Sequence, residues 1–210
     1  MELSKLLNIY CEAHTTPQSN ILYELERETN LKTLSPQMLS GHLQGQFLSF
    51  ITHMIRPQVI LEIGTFTGYS AICMAQGLTD GGILHTLEAN LELEPIIKKY
   101  ITKANLEDKI VLHLGKAEAI IPTLDLQFDL VFIDAGKQQY AQFYDLVFDK
   151  VRTGGMILAD NVLWSGKVVT DEMDEDTQAI RVFNEKVNND TRVENMILPI
   201  RDGILMARKK

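Results

Sequence analysis

Two rhythms divide the hydrophobic positions of this chain. Up to about residue 56 they recur at helical spacing: Leu3, Leu6, Leu7 and Tyr10, then Ile21, Leu22 and Leu25, then Phe47, Phe50, Ile51 and Met54. The spacing predicts helices, with "TLSPQMLSGHLQGQ" (33–46) as a loop between them because Pro36, Gly41 and Gly45 punctuate it. From Pro57 the pattern becomes short apolar runs, "VILEIG", "ILHTLEA", "IVLHLG", "FDLVFIDA" and "GGMILADN". Between them lie the helical stretches "GYSAICMAQGL", "LEPIIKKYITKANL", "AEAIIPTL" and "QQYAQFYDLVFDKV". Strand–helix alternation of this length predicts a doubly wound α/β fold, a parallel sheet with helices on both faces.

The last segment breaks the rhythm. "VENMILPI" and "GILMARKK" are apolar runs joined by a short "RDG" connection, which predicts an antiparallel closing strand. The charge-dense "TDEMDEDTQ" reads as a solvated loop or helix start. No internal repeat or low-complexity linker interrupts the 210 residues, so one domain is expected, 1–56 as helices and loop and 57–210 as the α/β core.

Charge and composition narrow the partners. A formal charge of −8 disfavours nucleic acid and anionic membranes, which need a basic face. Two cysteines, Cys11 and Cys73, are too few for a disulfide framework. The N-terminus lacks a continuous apolar core for a signal peptide, and no run approaches the roughly 20 apolar residues that span a bilayer. A cytoplasmic protein whose partners are small molecules or other proteins is expected.

The candidate chemistry sits at strand ends. "LEIGTFTGYS" places Glu62, Gly64, Gly68 and Ser70 where the first strand turns into a helix, a geometry suited to close approach by a nucleotide-like ligand. The spacing is not the G-x-G-x-x-G of dinucleotide sites. Glu88 ends the second strand, where a carboxylate accepts ribose hydroxyls. A tight strand–helix connection and an exposed strand end would use the same residues. In "DLVFIDAGKQQY" an apolar strand ends in Asp134, a carboxylate that needs a partner.

Taken together, Glu62 to Ser70, Glu88, "IDAGKQQY" and "ADNVLWSGKV" resemble, in order and spacing, the cation-dependent class I O-methyltransferases that use S-adenosylmethionine, the caffeoyl-CoA and catechol O-methyltransferase group, in bacterial form. The resemblance runs from about Met38 to the C-terminus. It implies a Rossmann-like, mostly parallel seven-stranded sheet with an antiparallel C-terminal strand. It also implies methyl transfer to one hydroxyl of a catechol-like or caffeoyl-like vicinal diol, and a homodimer.

Residue by residue, the resemblance makes Asp134, Asp160 and Asn161 the ligands of a divalent cation, Mg²⁺ by their hard oxygen donors. It makes Lys137 the catalytic base, an amine whose neutral form a nearby cation favours. Met38, Ser40, Glu62, Gly64, Thr65, Ser70, Glu88, Ala117 and Asp134 become cofactor contacts, and Trp164 an aromatic wall for the acceptor. The five histidines show no ligand spacing and read as ordinary loop or strand residues.

Two departures concern the acceptor. Gly136 stands where plant members carry an acid ("DADK"), and "LSGHLQGQ" replaces their "TTSADEGQ" loop. Two rival readings remain: a methyltransferase for another acceptor with an incidental metal, which a chelator would not inhibit, and a silent S-adenosylmethionine-binding module, which would bind without turnover.

Overall fold

A computed structural model describes residues 2–210, with side chains from Leu6 onward, so the Leu3 side chain of the first expected helix lies outside the described residues. Helices α1 (Glu2–Ala13), α2 (Asn20–Lys32) and α3 (Gly41–Ile55) precede the sheet. The core then runs β1 (Val59–Ile63), α4 (Tyr69–Ala75), β2 (Ile83–Glu88), α5 (Glu94–Lys103), β3 (Ile110–Leu114), α6 (Ala117–Ile120), β4 (Phe128–Ile133), α7 (Tyr140–Phe148), β5 (Val151–Ala159), α8 (Glu175–Asn188), β6 (Val193–Leu198) and β7 (Ile204–Lys209).

The strands form one seven-stranded sheet in the order β3-β2-β1-β4-β5-β7-β6. β1 to β5 pair in parallel, while β7 runs antiparallel to both β5 and β6. The doubly wound expectation and its antiparallel closing strand therefore hold. The order reverses between β1 and β4, and ligands of open α/β sheets bind outside the carboxyl ends of strands at such a switch point.

Alternation along each strand feeds two cores. Leu61, Ile63, Val131 and Ile133 face α6, α7 and α8, packing with Ile121, Phe143, Tyr144 and Phe183. Their neighbours Ile60, Leu130 and Phe132 face the other way, against Leu25 of α2, Leu48 of α3, Ile72 of α4 and Tyr100 of α5. Both faces of β1 and β4 are thus covered, which is why those strands are apolar at nearly every position, Glu62 and Asp129 excepted.

Two elements differ from the expectation and a third settles one that was left open. The loop expected over 33–46 is shorter, because α3 begins at Gly41 and carries Gly45 inside it. Gly45 serves packing there: a Cβ would lie 2.6 Å from Tyr69 Cε1 and 2.8 Å from Cys73 Sγ. β5 starts at Val151 instead of Gly154, with a register shift against β4 between Phe128 and Leu130. Of the two forms expected for the acidic stretch, loop or helix start, it takes the second, with Asp174 as N-cap accepting from Thr177 N of α8 at 3.0 Å. Among the described residues, no helix is long and apolar enough to cross a membrane.

The histidines hold one unexpected pair. His85 Nδ1 on β2 lies 2.9 Å from His113 Nε2 on β3. Burial lowers the pKa of both, and the nearby His113 lowers that of His85 further. The unfolded chain therefore takes up protons below about pH 6.5 that the folded one resists, so this contribution to stability falls as pH drops through that range. Denaturant midpoints should decrease between about pH 7.5 and 5.5, and less steeply in a His85→Phe/His113→Phe double variant.

Candidate active site at the carboxyl edge of the sheet

β1 leaves the sheet through Gly64, whose φ of +100° and closeness to β4 exclude a side chain: a Cβ would lie 1.8 Å from the Asp134 carbonyl oxygen. Gly64 N and Thr65 N both donate to Leu87 O, at 3.0 and 3.2 Å, while Asp134 N donates to Ile63 O at 2.8 Å. The ends of β1, β2 and β4 are thereby tied together. Gly68, at φ +94°, then opens α4.

Glu88 at the end of β2 is held by backbone. Its Oε2 accepts from Phe66 N at 2.7 Å and its Oε1 from Asn90 N at 2.8 Å. It borders a cavity of about 820 Å³ that Met38, Gly64, Ala117 and Asp134 also line, together with Asn90, Lys116 and Phe143. That volume lies within the range of small-molecule and cofactor sites.

Glu62, Thr65 and Ser70 sit behind this wall and do not line the cavity. Glu62 is fully buried, its Oε1 accepting from Ser70 Oγ and its Oε2 from Thr86 Oγ1, each at 2.5 Å. Thr86 Oγ1 in turn meets Thr65 Oγ1 at 2.5 Å. Burial pushes the Glu62 carboxyl up to about 8, against the opposing effect of the two hydroxyls. Ser40 is also apart from the large cavity; it borders a second one, of about 510 Å³, with Leu39, His42 and Arg201.

The remaining candidates meet around one ammonium. Lys137 Nζ donates to Asn161 Oδ1 at 2.7 Å, to Asp134 Oδ1 at 3.2 Å and to Tyr140 Oη at 2.6 Å. Tyr140 Oη donates to the Asp160 carbonyl at 3.1 Å. Asp160 is 3% exposed. Its Oδ1 accepts from Asn161 N at 2.7 Å and its Oδ2 from Gln44 Nε2 at 2.7 Å. Burial, reinforced by the negative charge of Asp134, raises its pKa well above the carboxylate range. Trp164 lies beside the cluster, with Lys137 Nζ 5.9 Å from its ring centroid.

This arrangement tests the donor set for a divalent cation. Asp134 Oδ1 and Asn161 Oδ1 already converge on one positive charge, and Asp160 stands next to them with its carboxylate disfavoured by its surroundings. One carboxylate and an amide oxygen already on a positive charge, with a second carboxylate beside them, are hard oxygen donors that suit such an ion. The residues present fit the group.

A family model described as O-methyltransferase matches residues 12–210. The chain belongs to the O-methyltransferase family. Among its relatives, the caffeoyl-CoA O-methyltransferase of Stellaria longipes is 30% identical, with 91% of this chain and 84% of that one covered. Caffeoyl-CoA O-methyltransferase 1 of Nicotiana tabacum is 31% identical, covering 91% and 92%. In structure, the O-methyltransferase from Bacillus cereus, solved in complex with SAH, superposes with a TM-score of 0.90 at 31% identity over 98% of this chain and 97% of that one. The O-methyltransferase TomG from Streptomyces achromogenes, solved with SAM, gives 0.91 at 26% identity over 100% and 99%. As a family member, the chain is an O-methyltransferase with the Rossmann-like fold expected from its strand pattern.

Sequence reasoning gave no part to Gln44, Tyr140 or Arg201. Tyr140 sits three residues beyond Lys137 on the start of α7, a spacing that returns it to the same face. Gln44 has no local signal, since its partner is 116 positions away. Arg201 Nη1 donates to Leu39 O at 3.1 Å and contacts Gln44 Oε1 at 3.4 Å, linking the β6–β7 turn to α3. Replacing Gln44 with Leu leaves a buried carboxylate oxygen without its donor. Chemical denaturation of the ligand-free Gln44→Leu protein should show a loss of about 1–3 kcal/mol.

Proposed function

We propose that this O-methyltransferase uses S-adenosylmethionine and a divalent cation, Mg²⁺ by ligand chemistry, to methylate one hydroxyl of a vicinal aromatic diol. The observation that carries the reading is the convergence of Asp134 Oδ1 and Asn161 Oδ1 on the Lys137 ammonium, next to buried Asp160 and at the border of the large cavity. S-adenosylmethionine supplies an electrophilic methyl group, and the cation supplies positive charge that favours the ionised form of the acceptor hydroxyl.

Within that scheme the chain's own residues bind, orient and move one proton. Glu88, fixed by Phe66 N and Asn90 N, keeps acceptor capacity for the two ribose hydroxyls. Met38 and Ala117 line the cavity that would take the cofactor, and the Gly64 turn would leave room for its methionine portion. Glu62, Thr65 and Ser70 support that turn from behind, and Ser40 precedes α3 at its N-cap position. Asp134, Asp160 and Asn161 hold the cation. Lys137 is the base that takes the acceptor's proton at Nζ, and Trp164 stacks on the acceptor ring. Transfer is then an in-line displacement, for which the chain contributes alignment and electrostatics.

We also assign a homodimer built on α1, which exposes Leu6, Leu7 and Tyr10 at 59%, 55% and 62%. Free Cys11 and Cys73 suit the reducing cytoplasm.

Methyl transfer to a panel of catechols and caffeoyl esters, with Mg²⁺ and with EDTA, tests the reading. Turnover should disappear with EDTA and fall by about 10²-fold or more in Asp160→Ala. EDTA-insensitive turnover would assign another acceptor chemistry, and cofactor binding without turnover across the panel would assign a sensing role. Separately, Glu88→Ala should weaken S-adenosylmethionine binding in calorimetry by about 10-fold or more, since it removes charge-assisted hydrogen bonds; unchanged affinity would remove the ribose role.

A further inference from the structure

The segment after Asn161 turns through three consecutive left-handed residues, Trp164 at φ 48°, Ser165 at 54° and Gly166 at 81°. Two of these are not glycine, so the turn persists only where its surroundings hold it. The loop that follows cannot hold itself by packing: Val169 is 86% exposed and Met173 68%. It also carries Asp171, Glu172 and Asp174, of which the exposed Lys167 pairs with Glu172 at 3.0 Å and with Asp174 at 3.4 Å, exposed ion pairs that contribute little order.

One side chain gathers the backbone of this loop. Arg181, on α8, donates Nε to Val168 O at 3.1 Å, Nη1 to Glu172 O at 2.7 Å, Nη2 to Lys167 O at 2.8 Å, and Nη2 also to Thr170 O. Its guanidinium reaches four backbone carbonyls of one loop and, among the described residues, no carboxylate. The near end of the loop is pinned from the β6–β7 turn, where Asp202 accepts from Ser165 N through Oδ1 and from Leu163 N through its carbonyl. Five fixed N–H donors in one plane make arginine suited to such a hub, and the compact lysine ammonium unsuited to it.

The geometry points to Arg181 as the positioning residue of the acceptor site: by shaping the loop that follows Trp164, it holds the indole ring against Lys137 and so sets the wall on which the acceptor ring stacks. The assignment rests on the diol reading for the acceptor, but the order of the loop does not. Arg181 touches neither the cofactor cavity nor the carboxylate cluster, so its loss should act on the acceptor alone.

Trp164 is the single tryptophan of the chain, so intrinsic fluorescence reads this loop directly. In the ligand-free protein, acrylamide should quench Trp164 about twofold more effectively in Arg181→Met than in wild type, with Arg181→Lys in between. Acceptor KM should rise roughly ten-fold while kcat and the affinity for S-adenosylhomocysteine stay near wild type, the pattern of lost uniform binding. Unchanged quenching and unchanged KM in both variants would overturn the assignment, as would a matching loss of S-adenosylhomocysteine affinity, which marks a general structural role. If Arg181→Met does not fold, Arg181→Lys decides by the same readings. If wild type methylates no diol, the proposed function fails, and the quenching comparison still decides whether Arg181 holds the loop.

Discussion

The structure turns on the gathering of like charges. The carboxyl edge of the sheet brings together Glu62, Glu88, Asp134 and Asp160 from β1, β2 and the ends of β4 and β5, three of them buried. Carboxylates out of water are costly unless hydrogen-bonded, paired or neutralised, and each of the four meets that demand differently. Glu62 accepts from two hydroxyls and holds its proton to about 8. Glu88 takes two backbone N–H groups. Asp160 takes Gln44 and the Asn161 amide, and Asp134 the Lys137 ammonium.

These solutions explain the local backbone. Gly64 lets the chain pass within contact of the Asp134 carbonyl, which closes β1 against β4 and leaves the cavity open in front. Asn161 adopts a left-handed φ of 57°, and from there its amide N–H reaches Asp160 while its side-chain oxygen reaches Lys137. The same exit starts the strained turn through Trp164. Strain, charge and open space therefore occupy one end of the sheet, and the opposite faces are left to hydrophobic packing. Where a protein breaks local rules in one place, the site is the expected place.

Much of this was legible in the sequence because the signals were local. Strands β1 and β4 read as apolar runs since both of their faces are covered, and the carboxylates at their ends stood out against those runs. What escaped reading depends on distant partners. Gly45 looks like a loop residue until Tyr69 and Cys73 are seen against it. α8 is legible only at its acidic start, which reads as a solvated loop or a helix start and holds the N-cap Asp174. Gln44, Arg181 and Arg201 show no pattern of their own, because their roles are set by carbonyls and carboxylates elsewhere in the chain.

In the proposed function the Asp134, Asp160 and Asn161 cluster is relieved by a cation, and thermal stability reports this without reference to turnover. Melting of the ligand-free protein should shift upward as Mg²⁺ or Mn²⁺ is raised through the millimolar range, because an ion that binds only the folded chain stabilises it by mass action. The shift should vanish in a double variant, Asp134→Asn/Asp160→Asn. A melting temperature that does not respond to either ion, or one that rises equally in the double variant, would contradict the account.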